Sequence, residues 1–180
     1  MNEHVYEITR VENEAWIRML GVGVRVVIMR AGTFVDLQKQ IEAIHGGDAS
    51  ALFYEAGIRA GRESTKVLLE EWEGGVLFEE WEERGMEFLK KWGEFYQSAG
   101  VGWFKIEDIN INFEKEYGYI RVKQSFIAEE YGKSNQPVCH FLCGFFSGVL
   151  QEVLGEKLTC EEVKCIAKGD QYCEFKLRKY

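Results

Sequence analysis

The cysteine spacing near the carboxyl end constrains the fold more than any other feature of the 180-residue chain. Cys165 and Cys173 flank the dipeptide Gly169-Asp170, which is typical of a turn, so this segment predicts a hairpin with strands about 5 Å apart. If the loop has an odd number of residues centred on Gly169, the two thiols lie opposite each other on one face of the sheet. A two-residue loop would place them on opposite faces, so a shared thiol site requires the odd loop.

Two further residues extend the thiol pair into a candidate metal site. Glu162 precedes Cys165 by three positions, so its side chain reaches the same face only if a bulge or the end of the strand intervenes. Cys139, at the start of a predicted helix, is the leading candidate for the fourth ligand, because the positive end of a helix dipole favours a thiolate. Three thiolates and one carboxylate would form a closed tetrahedral zinc site. The alternative is that these cysteines are small apolar core residues.

Composition narrows the class of protein. All five cysteines lie in the last 42 residues, and their odd number argues against a disulfide framework in a reducing compartment. The formal charge is −8 and the chain has no basic stripe, which argues against binding to nucleic acid. No apolar run approaches the roughly 18 residues of a membrane span. The amino-terminal stretch lacks the apolar core of a signal peptide, so the predicted location is the cytoplasm.

Apolar periodicity predicts a single α+β domain over residues 1–180, with helices packed on a mostly antiparallel sheet. The predicted helices cover residues 34–45, 50–72, 76–98 and 139–155. The predicted strands are residues 19–31 (a strand or a buried segment), a hairpin within 103–128 that turns near Tyr117-Gly118, and a second hairpin formed by 157–167 and 171–177.

Two predicted helices carry glycines four residues apart. Gly57 and Gly61 share one face of the second helix, and Gly144 and Gly148 share one face of the last. Because glycine destabilises a helix, this spacing indicates that another backbone, or a ligand, packs closely there. The third predicted helix has a broad aromatic face, which indicates core or dimer contact and also suits a pocket for a small apolar molecule.

The carboxyl-terminal motifs resemble the 4-vinyl reductase domain family. The pattern of that family is a cysteine at a helix start, glycines five and nine residues later, and then E-x2-C-x3-G-D-x2-C-x-F. The positions that carry the resemblance are Cys139, Gly144, Gly148, Glu162, Cys165, Gly169, Asp170, Cys173 and Phe175. The resemblance covers residues 50–178.

The resemblance implies a fold, a metal and a dimer. It relates the chain to the sensor domains of phenol-responsive activators and to Golgi-transport tethering subunits, in which helices and an antiparallel sheet enclose an apolar pocket. It implies a structural Zn²⁺ held by Cys139, Glu162, Cys165 and Cys173. Members of the family often dimerise through their amino-terminal part, so a homodimer is expected.

The expected function is binding or sensing of a small apolar or aromatic ligand, with the signal passed to a separate partner. Aromatic content near the first hairpin suggests the ligand-pocket residues Trp92, Phe95, Trp103, Phe104 and Tyr119. No catalytic residue is assigned, because the chain has no triad, phosphate loop or carboxylate pair beside a base. His140 is interpreted as a polar residue of the first helical turn.

Two other functions stay open at this point. The family name suggests an accessory protein or reductase of tetrapyrrole metabolism, although no nicotinamide or flavin fingerprint is present. A dimeric protein-interaction or tethering module is the other alternative.

Overall fold

A computed structural model describes residues 8–10, 17–19, 24–73, 81–98, 102–112 and 117–180 of the chain. Within these ranges, the helices are α1 (Ala31–His45), α2 (Asp48–Glu73), α3 (Trp81–Ser98), α4 (Phe126–Tyr131) and α5 (His140–Leu154). The strands in the same ranges are β1 (Ile8–Arg10), β2 (Ile17–Met19), β3 (Val24–Val26), β4 (Lys105–Asn112), β5 (Tyr117–Lys123), β6 (Leu158–Lys164) and β7 (Cys173–Lys179).

The strands form two antiparallel sheets. The larger sheet has the order β4-β5-β7-β6, so the last strand of the chain lies between β5 and β6. The smaller sheet has the order β1-β2-β3. This combination of helices with an antiparallel sheet confirms the predicted α+β class. The division of the chain into one domain over residues 1–180 stays a prediction.

Helix ends follow from local chemistry. Gly46 ends α1 with a φ of 59°, and its N–H donates to the carbonyl of Glu42 at 2.8 Å. Gly155 ends α5 in the left-handed conformation, and its N–H donates to the carbonyl of Gln151 at 2.9 Å. These two ends confirm the predicted helix boundaries. Residues 76–80 of the predicted third helix lie outside the described residues.

Helices α2 and α5 pack backbone against backbone. A Cβ atom on Gly57 or Gly61 would collide with the carbonyl oxygens of Phe141 or Phe145 on α5. The contact is reciprocal, because a Cβ atom on Gly148 would collide with the carbonyl oxygen of Ile58 on α2. The predicted close approach at the glycines is therefore confirmed, and the partner is a backbone.

The first hairpin differs from the prediction in the position of its turn. Tyr117 pairs with Asn112 and Gly118 pairs with Ile111, so both predicted turn residues belong to β5. The connection is made by residues 113–116, which lie outside the described residues. A Cβ atom on Gly118 would collide with the neighbouring strand, so this glycine serves a close approach between strands.

The prediction that the second strand of this hairpin continues to Phe126 is wrong. The chain leaves the sheet after Lys123, because Gln124 takes a positive φ of 53°. Ser125 then caps α4, and its hydroxyl accepts a hydrogen bond from the N–H of Ala128 at 3.4 Å. Alternating hydrophobicity could not reveal this change, because the apolar residues on both sides of the cap keep the period of a strand.

The prediction for residues 19–31 is also corrected. Only Val24–Val26 forms a strand after Met19 in the described part of this segment. Val27 and Ile28, which precede α1, are 81% and 76% exposed, so they are not buried. Among the helices of the described ranges, none is both long and apolar enough to cross a membrane.

Candidate metal centre

The second hairpin meets both geometric conditions for a shared site. Register pairs Glu162 with Phe175 and Lys164 with Glu174, and a bulge between Glu162 and Lys164 shifts the pairing by one residue. This bulge turns Glu162 toward the face that carries the thiols. The next residues along the two strands are Cys165 and Cys173, and residues 166–172 make a loop of odd length between them. Gly169 in this loop has a φ of +98°.

Four buried side chains meet where this hairpin contacts the start of α5. The thiols of Cys139, Cys165 and Cys173 and a carboxylate oxygen of Glu162 all lie within 4.8 Å of one another. The Sγ atoms of Cys139 and Cys173 are 3.9 Å apart. Two sulfurs that share a tetrahedral zinc ion at the usual bond length would be separated by about 3.8 Å. The four residues predicted as ligands are thus brought together at a spacing that suits one ion.

The carboxylate of Glu162 is only half satisfied by the protein. Its Oε2 atom accepts a hydrogen bond from the N–H of Cys139 at 2.8 Å, which caps α5. Its Oε1 atom is buried and has no hydrogen-bond partner. Burial, together with the neighbouring Cys165 sulfur, raises the pKa of Glu162 to about 8. An unpartnered buried oxygen is costly to leave, so it points to a missing positive partner.

The thiols are surrounded by hydrogen-bond donors. Hydrogen bonds from Cys139 and Cys173 to the sulfur of Cys165 hold the pKa of that thiol far below its usual value. The backbone N–H of Ile166 donates to the Sγ atom of Cys173 at 3.3 Å, and the hydroxyl of Ser125 lies 3.4 Å from the Sγ atom of Cys139. Such donors stabilise negative charge on sulfur, which is the form that binds a metal. No sequence signal identified Ser125 or Ile166.

These residues fit a bound divalent metal. A cation would neutralise the buried sulfur and carboxylate charge and would give Glu162 Oε1 a partner. Cys139, Glu162, Cys165 and Cys173 would supply four protein ligands, which leaves no open coordination position. An ion held in this way supports structure and performs no hydrolysis.

Three neighbouring residues lie outside the cluster. Cys143, one turn after Cys139 on α5, has its Sγ atom 2.9 Å from that of Cys160 on β6. His140 follows Cys139 but is not part of the four-residue cluster. Burial lowers the pKa of His140, so the imidazole is neutral at neutral pH.

Four of the five residues predicted to line a ligand pocket come together in the interior. Trp92 lies 6.2 Å from Phe104 between ring centroids, while Trp103 and Phe95 both contact the ring of Tyr96. Tyr119 is not brought to this group. It lies on the opposite face of β5 from the buried Ile120 and Val122, where its hydroxyl donates to Asp108 at 2.8 Å.

We call this group the aromatic cluster, and α5 contributes two members that the pocket prediction missed. Phe145 stacks on Trp92 at 6.0 Å, and Phe146 meets the same indole edge-on at 6.1 Å. The cluster consists of Trp92, Phe95, Tyr96, Trp103, Phe104, Phe145 and Phe146. The paired phenylalanines in an almost wholly apolar helix were the sequence signal for a buried contact.

The indole nitrogen of Trp92 lacks a hydrogen-bond partner. Trp92 is fully buried, and its Nε1–H meets no acceptor in the described structure. A buried indole N–H usually finds a partner. The orphaned donor therefore marks a place where an acceptor atom would be favourable.

The family model of the 4-vinyl reductase domain matches residues 119–179. An uncharacterized protein of Methanocaldococcus jannaschii is 28% identical over 87 residues, which is 48% of each chain. The phenol regulator MopR of Acinetobacter guillouiae is 40% identical over 53 residues, which is 27% of this chain and 10% of MopR. The matched region thus spans about half of the first relative and a small part of the second.

Solved structures share the fold. The phenol-responsive sensory domain of the transcription activator PoxR, solved with phenol, aligns with a TM-score of 0.74 at 18% identity over 96% of this chain and 84% of that one. Subunit 3 of a trafficking protein particle complex from Naegleria fowleri, covalently bound to palmitic acid, aligns with a TM-score of 0.59 at 18% identity over 83% of this chain and 92% of that one.

A vinyl-4-reductase family protein from Methanocaldococcus jannaschii aligns with a TM-score of 0.50 at 16% identity over 86% of this chain and 84% of that one. The predicted resemblance to the 4-vinyl reductase domain, the phenol sensors and the tethering subunits is confirmed by these matches. At such identities the solved structures establish the fold alone.

Proposed function

We propose that this chain, whose residues 119–179 match the 4-vinyl reductase domain, binds and senses a small aromatic or apolar molecule and is stabilised by a structural zinc ion. The ligand binds within the aromatic cluster, and the metal fixes the wall formed by α5 and the sheet. The signal then passes to a separate partner. The likeness to a phenol sensory domain supports the ligand class.

The orphaned donor of Trp92 carries this proposal. Ring faces around it provide the apolar contacts that an aromatic ligand needs, and the N–H offers one directional hydrogen bond. A phenolic oxygen is small enough to accept that bond while its ring lies among the neighbouring rings. Because the free protein leaves this donor unpaired, the bond adds to affinity without breaking one that already exists.

The proposed metal lies close to the cluster through two shared elements. Phe146 on α5 contacts Phe175 on β7 at 4.8 Å. Cys139 is the residue before α5, and Cys173 is the first residue of β7. An ion held by both cysteines would therefore fix the distance between the helix and the strand that position Phe146. The donor set of three thiols and one carboxylate favours zinc over calcium or magnesium, which prefer oxygen ligands alone.

Calorimetric titration of the purified chain with phenol tests the ligand proposal. We expect saturable binding to the wild type, and weaker binding of toluene, which has the same ring but no oxygen. Trp92→Phe keeps an aromatic ring and removes the N–H, so phenol should bind roughly three- to tenfold more weakly, as expected for one neutral hydrogen bond.

Trp103→Phe is the matched control, because Trp103 belongs to the same cluster but its indole nitrogen is not an orphaned donor. This variant should bind phenol within about twofold of the wild type. Equal binding of phenol and toluene, or no effect of Trp92→Phe, would contradict the assigned donor. Absence of heat with either compound would contradict the proposed ligand class.

A further inference from the structure

A second pair of thiols lies outside the metal cluster. Cys143 projects from α5 and Cys160 from β6, and their Sγ atoms are 2.9 Å apart. Both residues are free cysteines. The metal proposal uses neither of them, so the close contact calls for a separate explanation.

The distance argues against a metal ion between these sulfurs. Two thiolates that bind one tetrahedral ion stand about 3.8 Å apart. A disulfide bond measures about 2.05 Å. The observed 2.9 Å is too short for a shared ion and requires a movement of less than about 1 Å for a bond. The pair is therefore poised for disulfide formation.

A cavity of about 400 Å³ gives access to the pair. It opens to the surface, and both Cys143 and Cys160 line it, together with Tyr54 of α2. The Tyr54 hydroxyl accepts a hydrogen bond from the backbone N–H of Cys160 at 2.9 Å, which fixes this part of β6 beside the cavity. Cys160 is partly exposed, whereas Cys143 is 4% exposed. A small molecule that enters the cavity can therefore reach the sulfurs.

The charges around the cavity limit which oxidant can enter. Glu55 and Glu161 line the cavity and are exposed, and its lining within the described residues includes no lysine or arginine. This negative surface repels an anionic oxidant such as glutathione disulfide. It does not repel a small uncharged hydroperoxide.

We propose that Cys143 and Cys160 form a dithiol site that an uncharged hydroperoxide oxidises to an intrachain disulfide between α5 and β6. One sulfur attacks an oxygen of hydrogen peroxide, the O–O bond breaks, and the products are a sulfenic acid and one water. The second sulfur then attacks the sulfenic acid, the S–S bond forms, and a second water leaves. Two thiols lose two electrons and two protons, and the peroxide is reduced to two waters. A dithiol reductant reverses the change.

The test uses the full chain loaded with zinc and treated with excess hydrogen peroxide. We expect the intact mass to fall by two hydrogen atoms while zinc is retained. Tryptic digestion should then yield residues 134–157 joined to residues 158–164, the peptides that hold Cys143 and Cys160. The link closes a loop of moderate length, so the melting temperature should rise by roughly 5–10 °C and return when dithiothreitol is added.

Two variants and a second oxidant complete the experiment. Cys143→Ser and Cys160→Ser should each prevent the link between these two peptides. Glutathione disulfide should form it at least about tenfold more slowly than peroxide at equal concentration, because of the acidic cavity. An equal rate would overturn the selectivity for an uncharged oxidant.

Two results would overturn the site itself. The first is a wild-type chain that keeps both thiols under peroxide treatment sufficient to oxidise the same chain in denaturant. The second is a link to the peptides 165–168 or 169–176, which carry Cys165 and Cys173, since the metal cluster would then be the reactive group. The result does not depend on aromatic ligand binding.

Discussion

At the scale of single residues, Glu162 connects the two chemical roles of the metal cluster. One carboxylate oxygen caps α5 through the N–H of Cys139, and the other faces the thiols without a partner. A cation at this point would therefore order the start of the helix as well as the hairpin. Removing any ligand should affect metal content and stability together.

The substitution Cys173→Ala tests this coupling. It removes one sulfur from the centre of the cluster, so we expect zinc to fall from one ion per chain to well below one. At a free zinc concentration of about 100 times Kd, a bound ion stabilises the fold by about 2.7 kcal/mol. Loss of the ion should then lower the melting temperature by roughly 5–10 °C for a chain of this size. Elemental analysis and thermal unfolding of the same sample measure both effects.

The control for this variant is Cys160→Ala, which removes a cysteine that lies outside the cluster. Its zinc content should equal that of the wild type. If Cys173→Ala also retains a full complement of zinc, the assigned ligand set is incorrect.

The ligand candidates at this scale were predicted from the sequence, and their immediate supports were not. The motif identified Cys139, Glu162, Cys165 and Cys173, and the condition of a bulge was stated from the three-residue offset alone. The position of the bulge depends on the pairing with β7, which no local pattern encodes. Tyr119 was included for its aromatic ring, but strand alternation places it on the face opposite Ile120.

At the scale of elements, the pairing of α2 with α5 dominates the helical layer. Each helix offers glycines to the backbone of the other, so the two axes approach more closely than side chains would allow. The sequence predicted this contact because the glycine spacing of four residues has no local benefit in a helix. It could not predict which helix is the partner, since spacing carries no information about long-range order.

The substitution Gly148→Ala tests the close approach. Alanine is the better helix former by about 1 kcal/mol, so an exposed site would gain stability. At this position the added methyl group would collide with the carbonyl oxygen of Ile58, and we expect a net loss of about 3 kcal/mol. Urea denaturation measures the change in the free energy of unfolding.

Gly47→Ala serves as the comparison, because no atom lies within 4 Å of a Cβ atom built there. Its free energy of unfolding should stay within about 0.5 kcal/mol of the wild type. A neutral effect of Gly148→Ala would show that the helices separate at little cost.

At the scale of the whole molecule, the carboxyl-terminal half was easier to predict than the amino-terminal half. Residues 137–180 carry turn, cap and cysteine signals that each specify a local geometry, and the structure agrees with them. The segment from Val24 to Arg30 carries β-branched residues without such signals, and side chains predicted to be buried are exposed there. Hydrophobicity alone cannot distinguish an interior strand from a surface that contacts another molecule.

Native mass spectrometry of the intact protein tests the proposals of this scale together. We expect a homodimer with one zinc ion per chain, and an added mass equal to one phenol per chain when phenol is supplied. A monomer at micromolar concentration would contradict the dimer without affecting the metal or the ligand. Loss of zinc with a chelator at mildly acidic pH should be faster than at neutral pH, because protons compete with the metal for sulfur and carboxylate.

The tight seam between α2 and α5 also makes the molecule unequally compliant. These two helices cannot slide past each other without a collision between main-chain atoms, so they behave as one stiff girder. By contrast, α3 meets α5 through the broad ring faces of Trp92 and Phe145, which can glide. A guest that wedges itself between those rings will therefore lever α3 outward and leave the girder still, and a downstream receiver would have to read the motion of α3.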